Sequence, residues 1–181
     1  ACSCCPTNVV RFVPSIAGYM YAQNGKDIYV NLFIGGESSV KIGDQLVKMT
    51  QVTNYPWDGA IKLQVGPSKP ELFALRIRVP GWAQNRPVPS DLYRYLDHNN
   101  EQVTVRVNGQ PAPLSMEKGY AVLSRTWKNG DRVEINFPMP VRRVVANERL
   151  LEDRNKVALE RGPILFCAEW PDNKNGNVVN L

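Results

Sequence analysis

A single histidine, His98, stands among 181 residues, and the four cysteines are not spread along the chain: Cys2, Cys4 and Cys5 crowd one end and Cys167 lies near the other. A disulfide framework distributes its bridges through the fold, and this bunching does not resemble one. No uninterrupted apolar run is long enough to cross a bilayer, which leaves no place for a membrane-spanning helix. No basic-then-apolar signal segment opens the chain, and the compartment stays open between periplasm and cytoplasm. There is neither an internal repeat nor a low-complexity tract. Hydrophobic residues make up 43% and charged residues 22%, a profile for a globular chain that can bury a proper core.

The net charge of +5 invites a nucleic-acid reading, which the local pattern does not support. Arg76 and Arg78 alternate with Leu75, Ile77 and Val79, as the wet face of a half-buried strand would. Arg125, Lys128 and Arg132 flank a turn, and no nucleic-acid motif is present. No nucleic-acid partner is therefore expected.

Val9, Phe12, Val13, Ile16, Ala17 and Met20 recur at helical spacing and predict a helix over about 7–22 with one apolar stripe. Pro6 suits the first turn, and Pro14 removes the bond to the carbonyl of Val10 and predicts a kink. Asn24-Gly25 is read as the helix stop. A lone helix cannot cover such a stripe, so it is expected to lie exposed or to pack on helices that this chain does not contain or on another chain.

From Lys26 onward the period becomes two. Ile28, Val30, Leu32, Leu63, Phe73, Leu75, Ile77, Val105, Val107, Val133, Ile135 and Val157 are expected on inner sheet faces. Asn108-Gly109 and Asn129-Gly130 both read as hairpin turns. The final strands are placed at 157–160 and 164–168, with Cys167 in the core among Ile164, Leu165 and Phe166. Many short strands with frequent turn signals and no intervening helices predict a mainly β chain, an antiparallel β-sandwich with one or two subdomains. Residues 82–102 break the rhythm as a long loop or a linker. His98, beside Asp97, Asn99 and Asn100, reads as a solvated loop residue. Glu152, Asp153 and Glu160 read as strand-end and turn charges, and the four tryptophans as packing residues.

Cys4-Cys5 before a helix is the feature that carries chemistry. Adjacent thiols can ligate one soft metal ion or supply a thiolate nucleophile, and a helix start favours the ionised form. Even with Cys2 the set gives at most three of the four ligands of a closed zinc site.

The run Cys2-Ser3-Cys4-Cys5-Pro6-Thr7-Asn8 with its kinked helix resembles the segment that closes the catalytic barrel in glycoside hydrolase family 127, the β-L-arabinofuranosidases. The runs 76–83, 137–142 and 152–163 resemble that family too. The resemblance implies an (α/α)6 barrel followed by β-sandwich domains, with residues 1–25 as its last helix and cysteine motif and 26–181 as the sandwich region. It also implies a retaining hydrolase acting on an arabinose-containing glycan. On this chain Cys4 matches the nucleophile and a zinc ligand, Cys5 a second zinc ligand, and Cys2 no assigned role. The acid/base glutamate and the other ligands, a glutamate and a cysteine, are expected before residue 1, and further strands after residue 181. Zinc is therefore expected in a longer parent, and weakly or not at all in this chain, which is expected to be inactive alone. The rival reading is a non-catalytic sandwich that binds carbohydrate or supports another domain.

Overall fold

The computed structural model describes residues 4–173 and Val178. Helix α1 (Cys4–Ser15) passes into a 3-10 turn over Ile16–Tyr19. The predicted helix over 7–22 is therefore shifted and shorter. Pro14 sits in the last turn, lacks the N–H that would bond Val10, and the chain tightens and leaves the helix one residue later. Ser15 Oγ donates to the Phe12 carbonyl at 2.7 Å, taking up one of the acceptors left at that end. The apolar stripe is uncovered: Val9, Phe12 and Val13 are 58%, 60% and 58% exposed, and only Met20, beyond the helix, is buried.

Residues up to Pro80 together with Val103–Phe137 form one compact unit, and Gly81–Gln102 together with residues 138 onward form a second. The first holds β1 (Tyr21–Asn24), β2 (Asp27–Val30), β3 (Gly36–Ile42), β4 (Gln45–Thr53), β5 (Ala60–Pro67) and β6 (Glu71–Arg78). After β7 (Tyr93–Tyr95) of the second unit it continues with β8 (Thr104–Val107), β9 (Gln110–Pro111), β10 (Met116–Glu117), β11 (Tyr120–Trp127) and β12 (Asp131–Asn136). These strands make a five-stranded sheet ordered β1-β2-β6-β11-β10 and a six-stranded sheet ordered β3-β4-β5-β12-β8-β9. Among the described residues the strands pair antiparallel, except β2 with β6, which run parallel.

Period-two alternation explains the sandwich core. Ile28, Val30, Leu75 and Ile77 on one sheet, and Val47, Met49, Ile61 and Val65 on the other, have no exposed surface. Burial of each such side chain contributes about 1.5–3 kcal/mol. Trp127 is also fully buried, and its indole N–H donates to the Phe73 carbonyl at 3.1 Å. Arg76 and Arg78 lie on the outer face as expected. Arg76 is held there, with Nε donating to Asp27 Oδ2 at 2.8 Å and Nη1 to Glu117 Oε2 at 2.7 Å.

Several expectations are corrected. Leu32 is only half-buried, whereas Phe33 is buried and Ile34 exposed, because β2 ends at Val30 and 31–35 is irregular backbone with no fixed alternation. Asn24-Gly25 is no helix stop; it enters the hairpin between β1 and β2, where Asn24 pairs with Asp27. Asn108-Gly109 does close a hairpin, with φ of +52° and +79° on the two residues. Asn129-Gly130 does not. Only Gly130 is left-handed, at φ +88°, and the chain crosses there from β11 in the five-stranded sheet to β12 in the six-stranded one. Strand β12 then pairs with β5 and β8 of that sheet.

The second unit is built on a four-stranded sheet ordered β15-β14-β13-β7, with β13 (Val141–Ala146), β14 (Ala158–Arg161) and β15 (Ile164–Leu165). Its β7 comes from the segment expected as loop or linker, which also carries a 3-10 turn over Trp82–Gln84. Val157 precedes β14 and is 55% exposed, not part of an inner face. Strand β15 ends at Leu165, and Cys167 beyond it is an exposed thiol and not core packing.

Candidate active-site cysteines and the second polar cluster

Cys4 and Cys5 are the first two residues of α1. Pro6 follows in the first turn, where its missing N–H is one that no intrahelical carbonyl would have accepted. Thr7 Oγ1 donates to the Cys4 carbonyl at 3.0 Å. Neither thiol is in a disulfide, both are exposed, and their sulfurs lie 3.8 Å apart. Zinc–sulfur bonds of about 2.3 Å at the tetrahedral angle separate two sulfurs by roughly 3.8 Å, so the pair fits two corners of a zinc site. Among the described residues no cluster of three or more Cys, His, Asp or Glu side chains completes it. Cys2 lies outside the described residues.

The three carboxylates read as surface charges divide. Among the described residues, Glu152 contributes only its carbonyl, to the Lys156 ammonium. Asp153 Oδ2 accepts from the Tyr93 hydroxyl at 2.9 Å, and Glu160 Oε1 accepts from the Tyr95 hydroxyl at 2.6 Å. Arg142, which pairs with Glu160 across β13 and β14, is buried, stacks 3.4 Å over the Tyr95 ring and donates to the Asp97 carbonyl. Burial pushes the Glu160 carboxyl above the ordinary range, and the Tyr95 hydroxyl and Arg142 charge offset it only in part. Tyr95 is raised as well, first by burial and then by its bond to the Glu160 carboxylate. Sequence reasoning missed Tyr95 and Arg142. The available signal was Tyr93-Arg94-Tyr95, whose two phenols fall on one face of any strand. Each of the two engaged carboxylates is held by a phenol, so this cluster reads as the polar frame of the small sheet.

The remaining candidates have ordinary surroundings. His98 is exposed, with Nε2 3.3 Å from Asn85 Nδ2 and Nδ1 3.1 Å from Asn100 Oδ1, as expected of a loop histidine. Of the tryptophans only Trp127 is fully buried; Trp82 is half-buried, and Trp57 and Trp170 are 70% and 59% exposed.

Comparison with known proteins agrees along most of the chain. Residues 27–139 match the family model for the β-L-arabinofuranosidase GH127 middle domain, and 141–181 match the glycoside hydrolase family 127 C-terminal domain. A non-reducing end β-L-arabinofuranosidase from Bifidobacterium longum is 32% identical over 179 residues, 95% of this chain and 24% of that protein. A solved GH127 β-arabinofuranosidase superposes with a TM-score of 0.90 at 42% identity, over 96% of this chain and 27% of the other. A GH127 β-L-arabinofuranosidase from Geobacillus stearothermophilus T6 gives 0.82 at 37%, over 95% and 25%. The chain thus spans about a quarter of the length of these relatives. With two family models covering both of its structural units, this chain belongs to glycoside hydrolase family 127.

Proposed function

We propose that this chain is the C-terminal part of a retaining glycoside hydrolase that acts on β-L-arabinofuranosides, with Cys4 as nucleophile and Cys5 beside it as a metal ligand. The observation that carries the reading is the exposed thiol pair at the start of α1, with sulfurs 3.8 Å apart, in a chain of this family. Cys4 and Cys5 would hold zinc, which, when bound, keeps a thiol deprotonated and fixes its direction. Cys4 Sγ attacks the anomeric carbon as the bond to the leaving oxygen breaks and a carboxylic acid gives that oxygen its proton. Water then displaces the sulfur, returning the thiolate, while the same carboxylate takes the proton from water. The acid/base group belongs to the helical barrel that this reading requires.

The test is an aryl β-L-arabinofuranoside assay on the full-length protein, wild type against Cys4→Ser. Turnover is expected to vanish in the variant, and equal rates would remove the nucleophile assignment. Cys5→Ser is expected to weaken zinc retention first, and Cys2→Ser to change little. The 181-residue chain alone is expected to hydrolyse nothing, because two thiolates hold zinc weakly and the reading places the acid/base carboxylate outside this chain.

A further inference from the structure

We propose that the outer face of the six-stranded sheet binds an acidic oligosaccharide, one whose sugars carry uronate carboxylates. The strand register gathers residues that lie far apart in sequence. Lys62, Glu134 and Arg106 stand in one row across β5, β12 and β8, with Thr50, Gln64 and Arg132 in the next row. All six except half-buried Thr50 are exposed. Two grooves of about 240 and 220 Å³ run along these rows and share Lys62 and Glu134 as their common wall.

Three features select the ligand. Neighbouring charges of opposite sign on adjacent strands ordinarily pair. Among the described residues, however, neither Lys62, Arg106 nor Arg132 forms an ion pair, although Glu134 stands between the first two. An incoming carboxylate can therefore engage these cations without breaking an internal pair. The outward positions of β4, β5, β12 and β8 include no aromatic ring, so a neutral sugar has no stacking platform and charge must supply the attraction. Glu134, with Gln64 and Thr50, offers acceptors for sugar hydroxyls. A nucleic-acid backbone would bring its phosphates against that carboxylate with few donors to satisfy it. Lys62 and Arg106 stand two strand spacings apart, about 10 Å, so a ligand touching both is longer than one sugar.

The site is independent of the cysteine assignment, and its test reads binding alone. Isothermal titration of the chain with a short oligogalacturonate at low salt is expected to show binding that the methyl-esterified oligomer lacks. The Lys62→Ala, Arg106→Ala, Arg132→Ala triple variant is expected to bind at least about tenfold more weakly, ~1.4 kcal/mol. The three side chains are exposed, so its melting temperature should match wild type. Should it melt early, Lys62→Glu alone serves as the second variant, with the same loss expected. No binding, equal binding of the ester, or equal binding by a folded variant would overturn the proposal. So would an oligonucleotide of equal charge that binds as tightly, which would point to a general polyanion surface.

Discussion

Asp131 is the side chain whose loss should report most clearly on how the sandwich is fastened at its corner. Its Oδ2 accepts the Lys128 backbone N–H at 2.9 Å, closing the turn that carries the chain from one sheet to the other. Its Oδ1 accepts from Asn108 Nδ2 at 2.9 Å, and Asn108 Oδ1 in turn accepts the Arg132 N–H at 2.8 Å. One 8%-exposed residue thus ties the β8–β9 hairpin to the β11–β12 crossing. Hydrogen bonds to a charged group contribute about 1.5–3 kcal/mol each, and the Asn108 amide can turn to water, so Asp131→Ala should cost about 3 kcal/mol. Asp131→Asn keeps the shape and should cost about 1–2 kcal/mol. Burial pushes this carboxyl up, but the Asn108 amide, the Lys128 N–H and the charges of Arg125 and Lys128 together win, leaving it below its ordinary 3.8. A depressed folded value means the stabilisation is present above pH 3.8 and is lost as pH falls through the folded value. Urea unfolding followed by the fluorescence of buried Trp127, at neutral pH and stepwise into acid, checks both parts. The Asn variant should unfold at lower urea than wild type at neutral pH, and the gap should close on acidification. A constant gap, or none at neutral pH, would refute the reasoning.

Glu160 should show the opposite sign. Burial raises its folded value, so stability is complete below its ordinary 4.5 and is lost as pH rises through the raised value; Glu160→Gln should gain on wild type over that rise, in thermal melts. Tyr95→Phe, which leaves the half-buried carboxylate without its phenol, should lower stability by about 1–3 kcal/mol by the same measurement. Gly59→Ala would place its Cβ 1.9 Å from the Phe137 carbonyl oxygen, and urea unfolding should show a loss of about 3 kcal/mol with little change in slope.

What the sequence discloses here follows from which interactions are local. Strand β5 is a case: Ile61, Leu63 and Val65 are inward because a pleated strand has only two faces, and one of them is wet. The same rule places Arg76 and Arg78 outside. It fails at Leu32 and Val157, which lie just beyond strand ends, where no ladder fixes the pleat. Asn129-Gly130 misleads because a dipeptide specifies a turn and not the sheet that the next strand joins. The cysteine pair is legible because its two sulfurs are neighbours in the chain, whereas the Tyr95–Arg142–Glu160 cluster joins three strands separated in sequence. The cations of the outer face show the limit most plainly. Taken singly, Lys62, Arg106 and Arg132 are exposed residues on the wet sides of β5, β8 and β12. Only the pairing of β5 with β12, and of β12 with β8, turns three scattered charges into one row and its neighbour. A surface of this kind is encoded in register, and register depends on the partner strand.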